Sequence, residues 1–188
     1  MLSAHAKGLV TEATIDTAER GYFPYYTCQT GGAVSSADDG NRYDDDGPVH
    51  ISVAYAVFEN NIAKYGGAIW QEDGELNVRY ALFEGNQAVH GGGVYLTYKS
   101  AGTLWYTAFK SNEATLGSAI YVTQGTMAVN YGLFSANTGK AIYVPQAGLT
   151  MSYVHATGNS GLALESTTAI QAHVRSVCAI FQTAFTMH

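Results

Sequence analysis

Apolar and polar positions alternate over short stretches of this chain. Leu76, Val78 and Tyr80 alternate with Asn77 and Arg79, the two-residue period of a half-buried strand. Ala81-Leu82-Phe83 follows, then a turn at Glu84-Gly85-Asn86. The Gly91-Gly92 pair leads into a second apolar stretch, Gly93-Val94-Tyr95. Segments this short, with glycine at the corners, leave no room for a helix of ordinary length. They predict two or three short strands per unit.

The unit recurs. Phe58-Glu59-Asn60-Asn61 returns as Phe83-Glu84-Gly85-Asn86, Phe109-Lys110-Ser111-Asn112 and Phe134-Ser135-Ala136-Asn137. A second block follows each copy: Gly66-Gly67-Ala68-Ile69-Trp70, Gly91-Gly92-Gly93-Val94-Tyr95, Gly117-Ser118-Ala119-Ile120-Tyr121 and Gly139-Lys140-Ala141-Ile142-Tyr143. Asn61, Asn86, Asn112 and Asn137 lie 25, 26 and 25 residues apart. A fixed period in this range is the signature of a solenoid. Asn159, Gly161 and Ala163-Leu164 continue the series. Tyr26 to Val34 reads as a degenerate first rung, and Ala179-Ile180-Phe181 matches Ala81-Leu82-Phe83 as an incomplete last one. The expected fold is all-β: a single-stranded parallel β-helix of about six rungs over residues 26–188. Residues 1–25 are an N-terminal cap or extension. After Asn137 and Asn159 the corner is three residues shorter than in the earlier copies.

Stacking places equivalent residues in columns. Tyr55, Tyr80, Tyr106, Tyr131 and Tyr153 form one, and Phe58, Phe83, Phe109 and Phe134 form another that should be internal. Asn61, Asn86, Asn112, Asn137 and Asn159 form a structural ladder whose amides can bond from rung to rung. Trp70, Tyr95, Tyr121 and Tyr143 make a second aromatic column.

Composition narrows the role. Only 13% of the 188 residues are charged, and the net charge of -6 supplies no basic stripe for nucleic acid. No apolar run is long enough to span a bilayer. Met1 to Val10 lacks a charged stretch followed by an apolar one, so no signal peptide is expected in this chain.

The Phe-x-x-Asn element followed by Gly-Gly-Ala-Ile, over residues 26 to 165, resembles the repeats of the chlamydial polymorphic membrane proteins. The resemblance implies a right-handed parallel β-helix, as in adhesin passengers and other pectin-lyase-like proteins. It also implies adhesion and surface display, hence an extracellular or cell-surface location. The signal peptide and C-terminal barrel of such proteins are not seen in this chain.

Function is expected where the repeat breaks. An insertion at 36–50 carries Asp38, Asp39, Asp44, Asp45 and Asp46. Oxygen-rich loops with glycine can hold calcium, but this spacing is not that of an EF-hand, and a solvated or partner-facing loop is the simpler reading. No cofactor or other metal is expected. Leu9, Val10, Ala13, Ile15 and Ala18 suit either an amphipathic helix or a strand capping the first rung. The apolar segment Ala179 to His188 calls for a protein partner or more chain, unless the tail caps its own end. Cys28 and Cys178 fall about five rungs, or ~24 Å, apart at the strand spacing, too far for a disulfide.

Two functional classes follow. The first is a non-catalytic structural or adhesive module, within a surface protein or as a scaffold subunit. The second is a polysaccharide lyase or glycoside hydrolase, for which Glu59, Glu84 and Lys110 form the best acid-acid-base column. A sugar- or ice-binding face is a third reading. The flat threonine array of an ice binder is missing, while an exposed aromatic column could stack on sugar rings.

Overall fold

The computed structural model describes residues 10–16, 32–36, 49–161, 164–166 and 178–179. Four long strands carry the first half of each coil: β3 (Val49–Glu59), β5 (Gly74–Glu84), β8 (Ser100–Lys110) and β11 (Gly125–Ser135). They pair in parallel and in register, so that Phe58 meets Phe83, Phe83 meets Phe109 and Phe109 meets Phe134. In the next coil the long strand is split into β13 (Gly148–Ser152) and β14 (His155–Thr157), which continue the two halves of β11.

The Gly-Gly-Ala-Ile blocks build the second sheet. Its strands are β2 (Val34–Ser36), β4 (Ile69–Glu72), β7 (Val94–Thr97), β10 (Ile120–Val122), β12 (Ile142–Val144) and β15 (Leu164–Ser166). Val34, Ile69, Val94, Ile120, Ile142 and Leu164 stack in one register. The Asn-to-Gly corner holds a third, smaller face of β6 (Gln87–His90) and β9 (Glu113–Leu116). Ile62 and Thr138 extend it only as isolated bridges. The shortened corner after Asn137 is where this face stops. The chain is therefore an all-β parallel solenoid of about four turns. The first and last of the six expected rungs fall mostly outside the described residues.

Bends in each coil fall on left-handed residues. Tyr55, Tyr80, Tyr106, Tyr131 and Tyr153 have φ of 53, 52, 52, 56 and 55. This corrects the alternation expected from sequence. Leu76 and Val78 point inward, but Arg79 and Tyr80 both point out and Ala81 turns in again. One left-handed residue rotates the strand, so the period of two breaks at the tyrosine. The tyrosine column lies outside the core.

The phenylalanines lie inside. Phe58, Phe83, Phe109 and Phe134 are buried, with successive ring centroids 4.8, 4.5 and 5.1 Å apart. Beside them runs the asparagine ladder. Asn86 Nδ2 donates to Asn112 Oδ1 (2.9 Å) and to the Phe58 carbonyl (2.9 Å), while its Oδ1 accepts from Asn61 N and Nδ2. Asn112 and Asn137 repeat the same four bonds one coil on. Each buried amide thus uses both donors and both lone pairs. At Gly67 a Cβ would collide with the Gly92 carbonyl, so the close stacking of the corners requires glycine there.

Two strands flank the stack. β1 (Val10–Asp16) runs antiparallel along β3. Residues 10–16 are thus a strand on the edge of the first long sheet, one of the two forms left open by the sequence. β16 (Cys178–Ala179) pairs with β14, placing Ala179 on Ala156. Ala156 stands in the phenylalanine column, on Phe134. The sequence match of Ala179 to Ala81 is therefore two residues out of register. Residue type alone misplaced it, because Ala156 breaks the phenylalanine series. Cys28 lies outside the described residues.

Candidate functional site

Two of the expected sites resolve into architecture or surface. The inner members of the asparagine ladder, Asn86, Asn112 and Asn137, are buried and fully bonded. Glu59, Glu84 and Lys110 do share one column, as their register requires. Lys110 Nζ lies 2.6 Å from Glu84 Oε1, and Glu59 accepts a bond from Asn60 Nδ2 at 3.2 Å. Both carboxylates are thus engaged by neighbours at a solvated corner. Asp38, Asp39, Asp44, Asp45 and Asp46 lie outside the described residues. Among the described residues no cluster of three or more His, Cys, Asp or Glu is placed to hold a metal. No helix there is long and apolar enough to cross a membrane.

The tyrosine column is exposed but closed to flat ligands. Its rings stack at 5.0, 5.2, 4.5 and 4.7 Å with interplanar angles of 9° or less. Each inner ring spends both faces on its neighbours and shows only an edge and a hydroxyl. Stacking of sugar rings on this column, one of the expected readings, is therefore blocked along its length. Loss of hydration in the stack, together with Tyr106 and Tyr153, pushes the Tyr131 phenol above its ordinary range. The second column behaves alike. Tyr95, Tyr121 and Tyr143 stack at 4.9 and 5.3 Å, while Trp70 is buried. Burial, then Tyr95 and Tyr143, raise the Tyr121 phenol. Beside them His90 rests 5.6 Å from the Tyr65 ring. Burial and, more weakly, Lys64 push its imidazole below its ordinary value, against a backbone hydrogen bond at Val89.

Trp105 differs. It is 39% exposed on the outer face of β8, just before the bend. Its equivalents are Ala54, Arg79, Asn130 and Ser152, so no copy of the repeat announces it. The indole leans on Tyr106 and Tyr131 at 6.2 and 6.0 Å with tilts of 43° and 37°, outside the parallel stack. Arg79 is its neighbour on β5, also exposed, and makes no ion pair with any described residue. On β11 the neighbour is Asn130. Beyond Thr103 the face opens into a shallow depression of about 490 Å³, floored by small residues such as Ala101, Ala128 and Gly148 and edged by Thr126 and Thr150. The side chains that face outward here do not repeat, although the strands beneath them do. Periodicity does not mark such positions. The one available signal was a tryptophan where the other coils carry small or polar residues.

A second groove, of about 430 Å³, runs along the small third face between Ile62, Val89 and Thr138. Gln87 and Glu113 are its only long polar side chains.

Neither the curated proteins nor the solved structures give a significant match to the chain. A family profile matches residues 56–72, which hold Phe58, Asn61, the Gly66-Gly67 corner and the start of β4. The stretch is similar to the Chlamydia polymorphic membrane protein repeat.

Proposed function

We propose that this chain is a non-catalytic β-helix module of a cell-surface protein, a rigid post that carries a recognition surface. The observation behind the reading is the division of labour among side chains. Inward positions, the asparagine ladder and the tyrosine stack repeat from coil to coil, while the outer face around Trp105 varies. Sequence variety on a fixed frame suits binding, as in other solenoids. The repeat at residues 56–72 supports the surface setting. The competing reading, a polysaccharide lyase or hydrolase, relies on Glu59, Glu84 and Lys110. In that column Lys110 already neutralises Glu84.

Incubation with polyuronates and neutral glycans separates the two readings. Reducing ends and the ultraviolet absorbance of unsaturated uronides should stay at background. Cleavage by the native chain that disappears in Glu59→Gln or Glu84→Gln would overturn the non-catalytic reading.

A further inference from the structure

We infer that Trp105 and Arg79 form a binding site for a glycan ending in a carboxylated sugar. The inference rests on the reading of the chain as a binding module and names its ligand class. Trp105 is the aromatic residue of the long strands that stands outside the parallel columns while keeping large exposure. An indole so placed can receive the apolar face of a pyranose. Arg79 sits one strand away, ~4.8 Å along the axis, with no carboxylate partner among the described residues. A guanidinium there can take a ring carboxylate through a two-pronged bond while the ring rests on the indole. Asn130, on the other side of Trp105, and Thr103, two residues before it, offer an amide and a hydroxyl for sugar hydroxyls.

The depression beyond Thr103 has room for the next sugar of the chain. Its volume of about 490 Å³ falls in the range of small-ligand sites. Its floor of Ala101, Ala128 and Gly148 would let a sugar ring lie flat. Charge selects among acidic glycans. The chain carries a net charge of -6, so a long polyanion is repelled as a whole even where one carboxylate is welcome. Glu75, four residues before Arg79 on β5, lies 3.3 Å from His50 Nδ1. One carboxylate at the end of an otherwise neutral glycan fits both the local cation and the overall field.

Calorimetric titration of the full chain tests this with four probes: sialyllactose, lactose, polygalacturonate and heparin. Sialyllactose should bind most tightly, and lactose about tenfold more weakly. Arg79→Gln should bring sialyllactose down to the lactose level and leave lactose unchanged, while Arg79→Lys should fall between. Trp105→Ala should weaken both sugars about tenfold or more. Far-ultraviolet circular dichroism confirms that the variants fold, and Glu59→Gln, on a different column, should bind as the native chain does. Equal affinity for lactose and sialyllactose, unchanged binding by Trp105→Ala, or tighter binding of either polyanion would each overturn the inference. So would no binding by any probe, which would leave the non-catalytic reading to its own cleavage assay.

Discussion

At the scale of single residues, Asn112 carries the most consequence. Replacing it with Leu keeps the volume but strips the acceptor from Asn86 N and Nδ2 and the donor from the Phe83 carbonyl. Several buried groups lose partners at once, at about 1–3 kcal/mol each. Asn112→Leu should therefore cost roughly 3 kcal/mol or more in urea unfolding, and Asn112→Asp at least as much, because a carboxylate brings no donor to Asn137 Oδ1. His90 gives a second test at this scale. Its folded pKa lies below the ordinary value of 6.5, so the unfolded chain binds more protons between the two. Its contribution to stability should be complete above pH 6.5 and drain away as pH falls through the lowered folded value. His90→Phe should flatten that part of a plot of unfolding midpoint against pH. Asn112 was readable from sequence because its role depends on type and spacing, which the repeat displays. The environment of His90 was not, since it depends on Tyr65 and Tyr121 from the coils on either side.

At the scale of the element, the bent strand holds the main lesson. Alternation placed Tyr80 with Leu76 and Val78, and one left-handed residue reversed that placement. A residue-by-residue pattern assumes an unbroken pleat, so it has no means of registering a bend. The clue lay between copies: a tyrosine held its position in five successive coils while the residues before it varied. Left-handed backbone at tyrosine costs about 1–2 kcal/mol, and stacking offsets it. Variants of Tyr106 should divide accordingly. Tyr106→Gly loses two ring stacks but relieves the backbone, whereas Tyr106→Val loses the same stacks and puts a β-branched residue at φ 52. The valine variant should be less stable than the glycine variant by about 1–2 kcal/mol in chemical denaturation. Alkali should also loosen both columns. The raised phenols of Tyr121 and Tyr131 hold protons that the unfolded chain gives up near pH 10. Stability should thus fall as pH rises above about 10, with tyrosinate absorbance appearing together with loss of the fold.

At the scale of the whole molecule, the coils were legible and the recognition surface was not. Phe58, Asn61 and Gly66 announce themselves because four successive coils repeat the same core ring, ladder amide and first corner glycine. Trp105 and Arg79 need no counterpart in other coils, and sequence periodicity carries no trace of their adjacency. It arises only when two strands, 26 residues apart in register, are laid side by side. Ala179 shows the complementary error. There a likeness of residue types stood in for register, and hydrogen bonding shifted it by two.

The equivalence of the asparagines has one more consequence. Because coils are related by translation, the molecule resembles a one-dimensional crystal whose unit cell is a single turn. Excising residues 86–111 would join Gly85 to Asn112, setting Phe83 below Phe134 and Asn61 below Asn112. Such a crystal closes over a missing layer. The shortened chain should give the same circular dichroism spectrum with a lower unfolding midpoint, but the lost layer is the one that holds Trp105. Length and recognition are then separately heritable: a storey can be added or removed without redesigning the post, and each storey brings or takes away its own inscription.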